Sequence, residues 1–328
     1  MHTLLTLSSL LLVLLGSFLL LSRLRSIDDW SQRRIVQLSV LAMPSVVLGL
    51  GMSGWHHFIC HVCFVGAPLW DMMFGAMVPV LMAGIALTAV GLGLVRLLLL
   101  RRVITDNVLF IHPDIQTHVN ELGRRLHIGY ARVFLTFSEQ PLAFTCGLFR
   151  PIIVLSTWMV EHLDQRELEA VLTHEMEHIA RRDYLVVWLS LVLRDAFFYL
   201  PTCHIAYRQL QHEKEFACDD LAVRVTRRPL ALASALAKVW QNVVAGPKLL
   251  AAFGAAQPLV KGEGLTHRRI ERLLSFSPSR TFTQTSRLNT FRTNMFTLGI
   301  LLVVQCANVV IMVALMGHNP LVVLEKML

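Results

Sequence analysis

Charge is what this sequence has least of. Only 16% of its 328 residues are Asp, Glu, Lys or Arg, against about a quarter in soluble domains. The hydrophobic share is 55% and the mean hydropathy is +0.57. That balance points to the membrane if the apolar residues come in long blocks. Other absences narrow the reading. The leader Met1-His2-Thr3 has no Lys or Arg, and basic residues Arg23 and Arg25 follow the first apolar block instead. A cleaved signal peptide has the opposite arrangement, so the block reads as a retained anchor. Residues 54–71 contain no Lys or Arg. No aromatic-basic motif accompanies the net charge of +8, so no direct nucleic-acid partner is expected. There is no internal repeat.

The apolar blocks are long. Four reach the ~20 residues that cross a hydrocarbon core: 4–22, 35–53, 72–98 and 295–317. Four-span packing places 29 of the 30 Lys and Arg on one side, with Lys326 alone after the fourth span. The positive-inside rule makes that side cytoplasmic. The expected organisation is a membrane region over 1–102, a cytoplasmic domain over 103–294, a fourth span over 295–317 and an outer tail over 318–328. Both termini then lie outside, and the lipid bilayer is itself a partner. Residues 184–200 are also apolar, but Arg194 and Asp195 fall within them. Each costs roughly 2.5–3.5 kcal/mol at a bilayer centre, so a core helix or one dipping into the membrane surface is expected.

The fold class expected is a mainly α membrane protein with an α+β domain between the third and fourth spans. Asp114 to Arg125 reads as an amphipathic helix. The β-rich runs 131–137, 142–146 and 152–155, punctuated by Gly147 and Pro151, predict three short antiparallel strands. A helix follows, opened by Asp164 with Glu167 in capping-box spacing. Leu168, Val171, Leu172, Met176 and Ile179 recur along it at helical intervals. Pro201 closes the next apolar helix. Further helices are expected over 205–225, 229–244 and 267–275, and residues 246–264 read as a loop.

The chemistry sits in the helix that Asp164 opens. His174 and His178 are four residues apart, so both imidazoles lie on one face and suit one zinc ion. Glu175 lies at the edge of that face and can reach a water there without being a ligand, the logic of H-E-x-x-H. Zinc in such a site acidifies water and polarises a carbonyl, while the glutamate takes the proton. Two histidines leave the ion short of a protein ligand. Glu215 can complete the set, and Asp219, one helical turn on, can hold a ligand histidine by its free N–H. His212 and Cys218 are rival ligands. Glu177 precedes Arg181 by four residues, the favourable order for a helix ion pair.

Three runs in order, Phe144-Thr145-Cys146-Gly147-Leu148-Phe149-Arg150-Pro151-Ile152-Ile153-Val154-Leu155, then His174 to Asp183, then Glu215 to Asp220, resemble the BlaR/MecR-type membrane metallopeptidases. The resemblance spans about residues 100–275. It implies a gluzincin fold with one Zn2+ per chain on His174, His178 and Glu215, and Glu175 as base. It implies cleavage of a cytoplasmic protein such as a transcriptional repressor, after a signal from outside. The penicillin-binding domain that follows the last span in the antibiotic sensors has no counterpart in 318–328, so β-lactam sensing by that route is not expected.

A second cluster, His56, His57, Cys60, His61 and Cys63, falls in the expected outer loop. Its CxxC spacing suits a thiophilic metal or a disulfide in an oxidising compartment. Phe64 stands where c-type haem attachment needs His. The remaining cysteines, Cys146, Cys203, Cys218 and Cys306, read as packing residues. Regulated proteolysis at the inner face of a bacterial cytoplasmic membrane is the leading function. HtpX-type quality control of membrane proteins is the enzymatic alternative, and a non-catalytic zinc-stabilised scaffold is the alternative of another class. Glu175 argues against the scaffold, which needs no general base.

Overall fold

The computed structural model describes residues 2–24, 27, 30–44, 69–107, 111–126, 131–147, 151–245 and 263–276. The His56 to Cys63 cluster, the expected fourth span, Cys306 and the tail lie outside these residues. The described residues divide into two compact units, one within 1–90 and 192–209, the other within 91–191 and 210–282.

The first unit begins with α1 (His2–Arg23), over the first expected span, and α2 (Trp30–Ala42), over the start of the second. Helix α3 (Leu69–Asn107) covers the third. Within α3, Val80–Leu100 is 21 residues of mean hydropathy 2.1. At 1.5 Å per residue it is about 30 Å long, a bilayer's hydrocarbon thickness. It is the one helix among the described residues long and apolar enough to cross a membrane. Leu87, Leu92 and Leu98 stand exposed along it, as on a helix facing an apolar solvent.

The second unit opens with α4 (Pro113–Arg125), which has Pro at its start and buries Ile115, Val119 and Leu122. The strands are β1 (Arg132–Thr136), β2 (Ala143–Cys146) and β3 (Ile152–Ser156). Their order is β1-β3-β2. β2 and β3 pair antiparallel with Phe144 opposite Val154. β1 and β3, however, pair parallel, with Phe134 opposite Val154, so the expected all-antiparallel sheet is corrected. β3 takes the centre because its residues Ile153, Val154 and Leu155 are buried on both faces, as central strands demand. The 15 residues between β1 and β3 include β2, a connection long enough for a crossover between parallel neighbours. Gly147, at φ 104°, turns the chain out of β2 in a conformation open chiefly to glycine.

Ser156 caps the short α5 (Thr157–His162). Asp164 then opens α6 (Gln165–Ala180) with the capping box the sequence predicted. Glu167 also accepts from Ser234 Oγ (2.6 Å) and Lys238 Nζ (2.7 Å), which fastens the start of α6 to α9 (Pro229–Ala245). Val171, Leu172 and Met176 of α6 pack in one core with Ile153 and Leu155 of the sheet, Val223 of α8 (Pro201–Thr226) and Leu232 and Leu236 of α9. α10 (Glu263–Leu274) adds Leu273. Between α6 and α8, α7 (Asp183–Ala196) has 14 residues, about 21 Å, short of the ~30 Å a span requires. Pro201 does not close it. A turn at 197–199 does, and Pro201 begins α8, the helical position where its missing N–H costs nothing.

Candidate metal centre

Helix α6 carries His174 and Glu175 fully into the interior, where unpartnered polar groups would be costly. Each has partners. The rings of His174 and His178 meet edge to face, with centroids 4.8 Å apart. From α8, Glu215 Oε2 lies 3.5 Å from His174 Nε2 and 3.9 Å from His178 Nε2. A tetrahedral ion with bonds of roughly 2.0–2.2 Å holds its ligand atoms about 3.3–3.6 Å apart. One separation falls in that range and the other a few tenths of an ångström above it, so a small inward shift brings the donors to a zinc-sized ion, and two nitrogens with one carboxylate oxygen are a suitable donor set. His212 is exposed and belongs to neither metal-compatible group among the described residues.

Each histidine is held from behind. Asp219 Oδ1 lies 3.0 Å from His174 Nδ1. Asp183 Oδ2 takes the same part for His178, 2.9 Å from its Nδ1. Asp183 reaches it through a break in the helix. α6 ends at Arg181, and Arg182 adopts φ 52°, the left-handed C′ conformation that terminates helices. This turn returns the chain so that the first residue of α7 faces the last turn of α6. Arg181 pairs with Asp183 through Nε at 3.2 Å, rather than serving only the expected pairing with Glu177.

Glu175 points elsewhere. Its Oε2 accepts from Thr145 Oγ1 at 2.8 Å, and the same hydroxyl donates to the Glu175 carbonyl at 3.1 Å. Thr145 belongs to β2, which lies at one edge of the three-stranded sheet. A small cleft of about 30 Å³ is lined by Thr145, Glu175, His178, Asp183, Tyr184, Val187 and Lys214. That is room for a water molecule or two.

Beneath the site lies Arg269 of α10, 1% exposed. It grips Asp219 with a bidentate fork (Nε–Oδ2 2.8 Å, Nη2–Oδ1 2.7 Å) and reaches Glu215 Oε2 through Nη1 at 3.1 Å. Burial opposes ionisation of both carboxylates. Lys214 and Arg269 overcome it for Glu215, which stays well below the usual carboxylate range. Arg269 and His174 do the same for Asp219. Burial likewise works against a charged His174, but the Asp219 and Glu215 carboxylates prevail and raise it to about 9. His178 goes the other way, because its burial outweighs Asp183. In the metal-free protein the two histidines are thus unlike, and an ion must displace a proton from His174.

The sequence motifs placed His174, Glu175, His178, Glu215 and Asp219 here, and the fold brings all five together. They did not assign Asp183, Thr145, Lys214 or Arg269. Arg269 had a legible signal. It stands four residues from both Leu265 and Leu273, so it shares their apolar face. Cys218, read both as packing and as a rival ligand, puts Sγ 3.2 Å from His178 Nδ1 and belongs to a metal-compatible group with His178 and Asp183 rather than with His174 and Glu215. Cys146 keeps its packing role beside Leu100, Phe144 and Val154, and burial pushes its thiol up to about 12.

The model of the BlaR1 peptidase M56 family matches residues 115–273, which contain every residue of this site. This segment of the chain is similar to the BlaR1-type M56 peptidases. A protease HtpX homolog from Aquifex aeolicus is 25% identical over 175 residues, covering 41% of this chain and 58% of the relative. The methicillin resistance mecR1 protein of Staphylococcus aureus strain Mu50 is 28% identical over 90 residues, covering 27% of this chain and 15% of that protein. The chain thus spans little more than half of the HtpX homolog and a small part of mecR1. The crystal structure of S. mikatae Ste24p aligns with a TM-score of 0.40 and 13% identity, over 75% of this chain and 77% of that one. M56 peptidases are metallopeptidases, which accords with the donor set of His174, His178 and Glu215.

Proposed function

We propose that this protein is a zinc-dependent endopeptidase of the bacterial cytoplasmic membrane, with its peptidase domain on the cytoplasmic side. The observation that carries the reading is a cleft beside a sheet edge lined by Glu175 and His178, with His174 and Glu215 grouped with His178 as metal-compatible donors. His174, His178 and Glu215 would hold the ion, with Asp219 and Asp183 fixing the two rings. A divalent cation there supplies Lewis acidity to a peptide carbonyl and acidifies water.

The protein's own groups do the rest. Glu175 accepts the proton of the attacking water and passes it to the departing amine nitrogen. Its Oε2 is anchored by Thr145, which leaves Oε1 for the water. The edge strand β2 offers an extended substrate a template for strand addition, in line with Glu175. Lys214, lining the same cleft, faces the carbonyl oxygen as negative charge develops on it.

The substrate is a cytoplasmic or membrane-associated protein. The Phe144 to Pro151 run and the mecR1 similarity favour regulated cleavage of a repressor-like protein. The HtpX similarity supports the second reading, disposal of misfolded membrane proteins. Purified full-length protein is expected to hold about one zinc per chain, lost in His174→Ala and Glu215→Ala. Glu175→Gln is expected to keep the zinc and cleave at least ~100-fold more slowly. Unchanged zinc in both ligand variants would sink the metal assignment, and undiminished cleavage in Glu175→Gln would remove the base. Comparing the proteomes of cells with wild-type and Glu175→Gln protein separates the two substrate readings.

A further inference from the structure

His178 presents its two ring nitrogens to two different sets of donors. Nε2 faces Glu215 and the site described above. Nδ1 lies 2.9 Å from Asp183 Oδ2 and 3.2 Å from Cys218 Sγ, and the sulfur is 3.5 Å from the same carboxylate oxygen. These three atoms form a second metal-compatible triad. The sulfur–oxygen separation lies within the roughly 3.3–3.8 Å that a tetrahedral ion with bonds of 2.0–2.3 Å sets between nitrogen, oxygen and sulfur ligands, and the other two fall somewhat below it. A small outward movement of the Cys218 and Asp183 side chains closes that gap. His178 and Asp183 line the cleft that contains Glu175, so an ion entering the cleft meets two of the three donors. The sulfur decides which ions: thiolate selects soft or borderline cations over magnesium and calcium.

We propose that His178 Nδ1, Asp183 Oδ2 and Cys218 Sγ form a second, inhibitory site for a thiophilic cation such as Cd2+ or excess Zn2+. The proposal rests on the reading of His174, His178 and Glu215 as the catalytic metal site. Inhibition follows from the shared imidazole. A cation on Nδ1 leaves the one remaining ring hydrogen on Nε2. Nε2 then has no lone pair for the first site, which is reduced to His174 and Glu215. Binding releases the thiol proton to solvent and moves the ring hydrogen from Nδ1 to Nε2. Two features oppose occupation. Arg181 Nε holds Asp183 Oδ2 at 3.2 Å, and burial, with the nearby Asp183 carboxylate, keeps the Cys218 thiol protonated. Magnesium and calcium cannot repay these costs, so the site discriminates in favour of ions with strong bonds to sulfur.

The test uses full-length protein in detergent with Cys60→Ser and Cys63→Ser, so that the outer cysteines add no signal. Metal-free protein is titrated with Cd2+ alone, and the ultraviolet sulfur-to-cadmium charge-transfer absorption is followed. The band is expected in this background and in His174→Ala, where the first site is broken. It is expected to vanish in Cys218→Ser and in Asp183→Asn, which keeps the thiol. Casein cleavage by the zinc-loaded protein is expected to need at least 10-fold more Cd2+ for half-inhibition when Cys218→Ser is added. No band, or an undiminished band in Cys218→Ser of unchanged melting temperature, overturns the proposal. If His174→Ala loses its zinc but no Cys218-dependent band appears, this inference alone falls. If zinc content ignores His174 and Glu215, the catalytic reading falls first.

Discussion

Replacing Arg269 by Met tests whether the metal centre rests on a buried charge balance. The guanidinium is 1% exposed and touches both Asp219 and Glu215, themselves 2% and 3% exposed. Methionine fills a similar volume but leaves two buried carboxylates without their shared cation. Breaking a buried ion pair by removing one partner costs about 3–5 kcal/mol. A domain of this size loses about 2–4 °C of Tm per kcal/mol, so the metal-free variant is expected to melt roughly 6–20 °C below wild type. Zinc brings two positive charges to Glu215, so the difference should narrow when the metal is saturating. Arg269→Lys restores charge without the bidentate fork and should fall between the two. Differential scanning fluorimetry of the full chain in detergent, with chelator and then with zinc, measures all three. An Arg269→Met protein that melts within 2 °C of wild type in chelator would refute the argument that this arginine compensates Asp219 and Glu215.

Three further outcomes follow from other residues. Lys214→Met is expected to lower kcat on casein about 100-fold with zinc content retained; loss of zinc instead would mean that the lysine acts only through Glu215. Arg182→Gly should stabilise the protein by up to about 1 kcal/mol, because glycine takes the left-handed conformation without the Cβ clash, and chemical denaturation measures it. The pH dependence of the metal-free form has a defined sign. His174 is raised in the folded state, so its contribution is fully present below the unfolded value near 6.5 and is lost as pH rises through about 9. Melting temperatures in chelator should fall over that window, and His174→Gln should flatten the fall.

Much of the site was legible because its residues obey helical spacing. His174, Glu175 and His178 share one turn, as do Glu215 and Asp219, and the capping box at Asp164 told where that helix begins. Asp183 escaped for the opposite reason. It lies past the end of α6, and its approach to His178 depends on one residue, Arg182, adopting a backbone conformation that arginine does not advertise. Arg269 was hidden among Arg268 and Arg272, in a stretch whose basic residues look alike in the sequence. Only its alignment with Leu265 and Leu273 marks it as interior. The parallel pairing of β1 with β3 could not be read from three short apolar runs, since alternation and turn residues fix the existence of a strand but not its neighbour.

The Arg269 fork on Asp219 joins residues 50 positions apart in the chain. That separation has a consequence in time. A ribosome adding roughly 5–20 residues per second needs about 2.5–10 s to travel from one to the other. During that interval the nascent chain already carries His174, Glu175, His178, Glu215 and Asp219, but lacks the cation that lets the last two stay ionised in a dry interior. The centre therefore completes late, because the order of synthesis supplies its buried counter-charge last.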